Sequence, residues 1–373
     1  MSATSGRRAP APTSSLYDHA LRLHRRTPDG PLPRGGKPYP GGRRPRPEPP
    51  EDYRTAGVPV ARLLDEHFAQ PLAQPRGLAQ AFREVHVPIH PDEHIARAAH
   101  RAAPERARRT GRWLVQHGHE ESTVTVGLAL LAAVGTADDA PLIRTIGLLS
   151  DTFGPLAAHA LERTEGGAAH LLWLADRVTG WGRVHVVEAL CRLDDPATHP
   201  WLLRKAIDGD FLNGYFAGKV ATAARLHEAL PELGQDRGLL DHTGQLLRML
   251  THSAGMGMAL RHYPHAATVL AAHARHAGGP PPTVERFCVV ATLALHLATE
   301  SAEYSGCTEA QREAILASYL ALLDREDWYA TARAALAAQN SWLLWFADFS
   351  ESGLRLRVFE DWKAAADGAG EGR

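Results

Sequence analysis

Pro141 and Pro200 occupy matching places in two stretches of the chain that can be laid over each other. The first reads Leu131-Ala-Ala-Val134, an acidic turn holding Asp138 and Asp139, then Pro141-Leu142-Ile143-Arg144. The second reads Leu190-Cys-Arg-Leu193, a turn holding Asp194 and Asp195, then Pro200-Trp201-Leu202-Leu203. Proline fits the first turn of a helix, where a backbone N–H would have no intrahelical partner, and acids there face the positive end of the helix dipole. An apolar helix end, an acidic turn and a proline-opened helix therefore form the pattern of stacked helical hairpins. A further break at 166–170 divides the interval between the two prolines into two units of about 30 residues.

Composition agrees with helices. Leu and Ala outnumber Val and Ile in an apolar fraction of 44%, which favours helix over sheet, and no run alternates as a strand would. The three cysteines, Cys191, Cys288 and Cys307, are too few and scattered for a disulfide framework or a thiolate metal site, so reduced thiols in the cytoplasm are expected. The longest apolar runs, such as 287–298, fall short of the ~18–20 residues a membrane-spanning helix needs, so no membrane partner is expected.

Charge and proline are unevenly placed. Net charge is −1, yet residues 1–54 carry 11 Arg and Lys against 5 Asp and Glu. Prolines recur from Pro28 to Pro50 between glycine pairs, so this segment reads as a disordered basic extension that offers little apolar surface to offset ordering. Within it only Leu16, Ala20 and Leu23 make a helical stripe, one too short to be stable alone. Removing 1–54 is accordingly expected to leave stability unchanged. Capping helices are expected over 55–110, a repeat body over 111–365 and a disordered tail over 366–373. Within the body, 211–230 reads as one helix.

These residues resemble HEAT repeats, two-helix units that stack into α-solenoids. The resemblance rests on the acidic turns and prolines at 138–141 and 194–200, pair lengths near 30, Gly or Asp breaks between partner helices, and Ala, Leu and Val at facing positions. It implies an all-α, right-handed α-solenoid, with the second helices of each pair lining a concave surface. The segment from Pro200 to Ile207 is also similar to the HEAT-like alkylpurine DNA glycosylases, which cradle alkylated DNA with Trp, Asp and Arg. The chain departs from that family in its acidic body and in having only Trp173 and Asp176, three residues apart, as a Trp–Asp pair.

Within the helix from Trp181 to Leu193, Val184, Val187, Leu190 and Cys191 point one way. This leaves Trp181, His185, Glu188 and Arg192 on the opposite face, as candidate binding residues. His86, His90 and His94 have four-residue spacing, but Pro88 and Pro91 break any helix that would align them as metal ligands. Gly255-Met-Gly257-Met lacks the strand and third glycine of a dinucleotide site. With no phosphate loop, nucleophile elbow or Cys/His pairing, no catalytic residue, metal or cofactor is expected. The expected function is non-catalytic binding or scaffolding of a protein partner, with a DNA-binding enzyme of the alkylpurine glycosylase type as the alternative.

Overall fold

In the computed structural model, which describes residues 14–40, 47–349 and 353–370, every element of regular structure among the described residues is helical. Packing divides the chain into two compact units, the first ending at Asp195 and the second starting at Pro196. The sequence reading places no boundary there.

Unit 1 holds α1 (Leu16–His24), α2 (Val58–Ala69), α3 (Pro75–Ala81), α4 (Glu93–Arg101), α5 (Pro104–His117), α6 (Glu121–Val134), α7 (Ala140–Gly147), α8 (Ser150–Glu162), α9 (Gly167–Ala175) and α10 (Gly180–Leu193). Even-numbered helices pack in succession, α2 on α4, α4 on α6, α6 on α8 and α8 on α10. A second layer runs through α3, α5, α7 and α9, and α1 joins it by packing on α5 and α7. The hinge of the arrangement is α6, buried at every position from Thr123 to Ala132. A helix apolar on all sides must be covered on all sides, and α4, α5 and α8 do so. Gly111 and Gly127 let α5 and α6 approach closely: a Cβ on Gly127 would lie 2.9 Å from the Gly111 carbonyl oxygen.

The turn into α7 has the expected grammar and more. Pro141 sits in the first turn, and the fully buried Asp139 carboxylate accepts a hydrogen bond from the Thr136 N–H at 2.9 Å. Two guanidinium groups from α5 close on the same carboxylate, Arg108 at 2.7 Å and Arg112 at 2.6 Å. In α10, Val184, Val187 and Leu190 are buried, as their spacing requires, and Cys191 is half-buried.

The expected disorder of 1–54 needs correction over 14–40. Ser15 caps α1 by accepting from the Asp18 N–H, and Leu16 and Ala20 are buried against the α5–α7 layer. The Leu16 N–H donates to the Gly118 carbonyl at 3.0 Å. Downstream, Leu32 is buried, the Tyr39 hydroxyl donates to Thr152 at 3.3 Å, and Arg177, just past the end of α9, donates to the Pro28 carbonyl at 2.8 Å. A stripe too short to hold a helix alone becomes stable once α5 and α7 supply the apolar surface it lacks. Residues 1–13 and 41–46 lie outside the described residues.

Unit 2 holds α11 (His199–Lys205), α12 (Ala217–Ala223), α13 (Arg237–His252), α14 (Ala266–His276), α15 (Val284–Thr299), α16 (Glu309–Leu323), α17 (Glu326–Ala337), α18 (Ser341–Phe349) and α19 (Arg357–Gly370). Here the succession runs α11, α13, α15, α17, α19, with α14 packed on α16. Pro200 opens α11 as expected. The single helix expected over 211–230 is instead a 3-10 turn at Phe211–Tyr215, the short α12, and two further 3-10 turns. The break after α12 follows from Arg225, held in the left-handed region at φ 49°, where a helix cannot continue. The tail expected over 366–373 is helical as far as Gly370, and 371–373 lie outside the described residues. Among the described residues no helix is long and apolar enough to cross a membrane.

Because 14–40 cover buried apolar surface, deletion of residues 1–40 is expected to lower the melting temperature by at least about 2–4 °C, the effect of ~1 kcal/mol in a domain of this size. An unchanged transition in differential scanning calorimetry would contradict the packing described for α1.

Candidate functional site

The four residues singled out in α10 do share an outward face, and neighbouring even-numbered helices extend it. Trp181 is 46% exposed, and its ring stacks on that of His185, with centroids 6.2 Å apart. From the turn before α4, His90 brings its imidazole within 5.6 Å of His185, edge to face. One helical turn or more along α10, Arg192 forks onto Glu162 of α8, with bonds of 2.9 and 2.7 Å. Glu188, half-buried, lies between.

Beside this row, α4, α6 and α8 enclose a cleft of about 200 Å³. Ala129, Ala132 and Ala133 of α6 form its floor, and His100, His159 and Arg163 stand on its rim. The alanines are what the close packing of α6 leaves room for, and they keep the cleft open. Burial lowers the basicity of His185, reinforced by His90 and opposed by Glu188. Burial likewise lowers His159, with Arg163 adding to it and Glu162 opposing. The face thus presents two imidazoles whose basicity burial lowers, His159 and His185, with an aromatic ring and an arginine already neutralised by its glutamate.

His159, Glu162 and Arg163 carry no signal in their own local sequence, and His90 is marked there only by its spacing from His86 and His94. They join the site only because α4, α8 and α10 are neighbours in one layer. The histidines at 86, 90 and 94 go three ways: His86 meets the Pro47 carbonyl at 3.2 Å, His90 meets His185, and His94 donates its N–H to the Asp92 cap. Among the described residues no group of three His, Cys, Asp or Glu is placed to hold a metal ion. Trp173, of the Trp–Asp pair, is covered rather than open. Arg144 and Arg177 lie 4.6 and 4.4 Å from its ring, and His24 of α1 packs edge-on at 5.1 Å.

Unit 2 has its own polar cavity, of about 280 Å³, between α13, α14 and α15. Arg286 forks onto Asp241 at 2.6 and 2.8 Å, and its remaining arm donates to the Pro281 carbonyl. His273, fully enclosed, shares a 2.9 Å hydrogen bond with the Tyr319 hydroxyl, which in turn lies 3.3 Å from the Leu270 carbonyl. These groups satisfy one another and hold α13, α14, α15 and α16 in register. Nearby, burial pushes the Cys288 thiol up to about 12, so it carries no thiolate at neutral pH. No protein-family model, curated protein or solved structure matches the chain.

Burial lowers His273 from 6.5 to about 4. The unfolded chain therefore takes up this proton first as pH falls. The stability contributed by the neutral ring is fully present above ~6.5 and is lost as pH falls from there towards 4. His273→Asn keeps a donor at the Nδ1 position and cannot titrate. Its denaturation midpoint should fall less than the wild type's between pH 7.5 and 5; equal losses would contradict the assignment.

Proposed function

We propose that the chain is a non-catalytic binding or scaffold protein that holds a protein partner on the α4–α6–α8–α10 face of unit 1. Within each unit its helices are read as HEAT-like hairpins stacked in a right-handed α-solenoid, the architecture expected from the Pro141 and Pro200 turns. The succession of every second helix in one layer supports that reading, because hairpins that stack place like helices side by side. A cytoplasmic location goes with free cysteines.

The observation that carries the choice of partner is the charge of the face. Glu93, Glu162 and Glu188 are interleaved with Arg163 and Arg192, and Arg192 is forked onto Glu162. A nucleic-acid surface needs cations left available for phosphates; a mixed row flanking an exposed Trp suits a protein surface, where aromatic anchors carry much of the binding energy.

The test is affinity capture from the native cell with the full chain and with a Trp181→Ala, Glu188→Lys double variant. Trp181 is 46% exposed and Glu188 half-buried, so the melting transition of the variant is measured beside the wild type's and capture is compared under conditions where both are folded. A partner identified by mass that is retained by wild type and reduced about ten-fold or more by the variant supports the reading. Unchanged capture contradicts it, as does salt-sensitive retention of an alkylated DNA duplex with release of the damaged base.

A further inference from the structure

We propose that the cleft between α13, α15 and α18 binds a small organic anion, a monocarboxylate with an aromatic or short-chain apolar body. The sequence of α18, Ser-Trp-Leu-Leu-Trp-Phe-Ala-Asp-Phe, turns Leu343, Phe346 and Ala347 inward. Trp345 and Phe349 are left 53% and 59% exposed. Both line a cleft of about 290 Å³, as does Phe211, which is 71% exposed. One exposed aromatic is ordinary, whereas three on one concavity mark a binding surface. Trp345 and Phe349 are stacked with centroids 4.8 Å apart, a ready platform for a flat ring. Met249 and Met256 in the same wall can adapt to the shape of what enters.

Arg248 of α13 decides the charge of the occupant. It lines the same cleft, half-buried, and its Nε and Nη2 both donate to one neutral acceptor, the Gln245 Oε1, at 3.2 and 3.0 Å. Among the described residues no carboxylate lies within ion-pair reach of it. Arg192, Arg204 and Arg286, by contrast, each reach one at 2.6–2.8 Å. The acid of α18, Asp348, is engaged by Lys363 at 3.8 Å. Burial lowers the basicity of Arg248, as expected for a cation desolvated without an anion, and a guanidinium so placed is completed by a planar, bidentate carboxylate. The cleft lies at the small end of ligand pockets, which suits one ring or a short chain rather than a polypeptide segment.

The test uses the full chain with 4-phenylbutyrate and its amide, 4-phenylbutyramide, followed by calorimetry and by quenching of tryptophan fluorescence. Saturable one-to-one binding of the acid is expected, with the amide weaker by about ten-fold or more, the worth of a charge-assisted hydrogen bond. Arg248→Gln should bring the acid down to the amide's level. Trp345→Ala, at a position 53% exposed, should weaken both probes alike while the far-UV circular dichroism stays that of the wild type. Absence of saturable acid binding, equal binding of acid and amide to the wild type, or undiminished binding by Arg248→Gln would each overturn the proposal. Tighter binding of a peptide ending in Phe with a free carboxylate would overturn the small-molecule assignment.

Discussion

The Asp139 carboxylate is the point on which unit 1 is pinned. It is fully buried, yet it is ionised, because Arg108, Arg112 and the Thr136 N–H all donate to it. Burial works to raise its pKa, but Arg108 and the Thr136 N–H, with help from Arg112, hold it below the usual carboxylate range. A buried pair of this kind adds little net stability, because desolvation offsets the attraction, but losing one member is costly. What it supplies is register: α5 can meet the start of α7 in only one alignment. Unit 2 repeats the device. Asp236 caps α13 and is gripped by Arg204 of α11 at 2.8 Å, and Asp241 of α13 is gripped by Arg286 of α15. Each clamp ties a helix to the next but one, and the layered order follows from that.

How much of this was legible in the sequence depended on the range of the interaction. Pro141, Pro200 and the break at Gly166, which has a positive φ, are local devices, and they fall where the sequence places them. The acidic pair Asp138–Asp139 was legible as a helix entry. That Asp139 is also captured by two arginines from the preceding pair was not, since nothing near Arg108 or Arg112 marks them as its partners. The N-terminal segment was misread for the same reason. Proline and glycine content measures how little apolar surface a segment carries, not whether a neighbour has surface that fits Leu16, Ala20 and Leu32.

The candidate face shows the same division. Trp181, His185, Glu188 and Arg192 were visible as one side of α10, because 3.6-residue periodicity sorts a helix by itself. His90, His159 and Glu162, which turn that side into a site, required the layer of α4, α6 and α8 to exist first. Arg248 was invisible in a different sense. An arginine is unremarkable until its surroundings show that, among the described residues, its neighbours offer no carboxylate.

Binding through the even-numbered layer of unit 1 is the central claim, and hydrogen–deuterium exchange of the full chain, free and with its captured protein partner, tests it most directly. New protection is predicted in peptides covering 90–100, 159–163 and 181–192, with α7 and α9 unchanged. Protection confined to the α7–α9 layer, or absent from unit 1 altogether, would contradict the account.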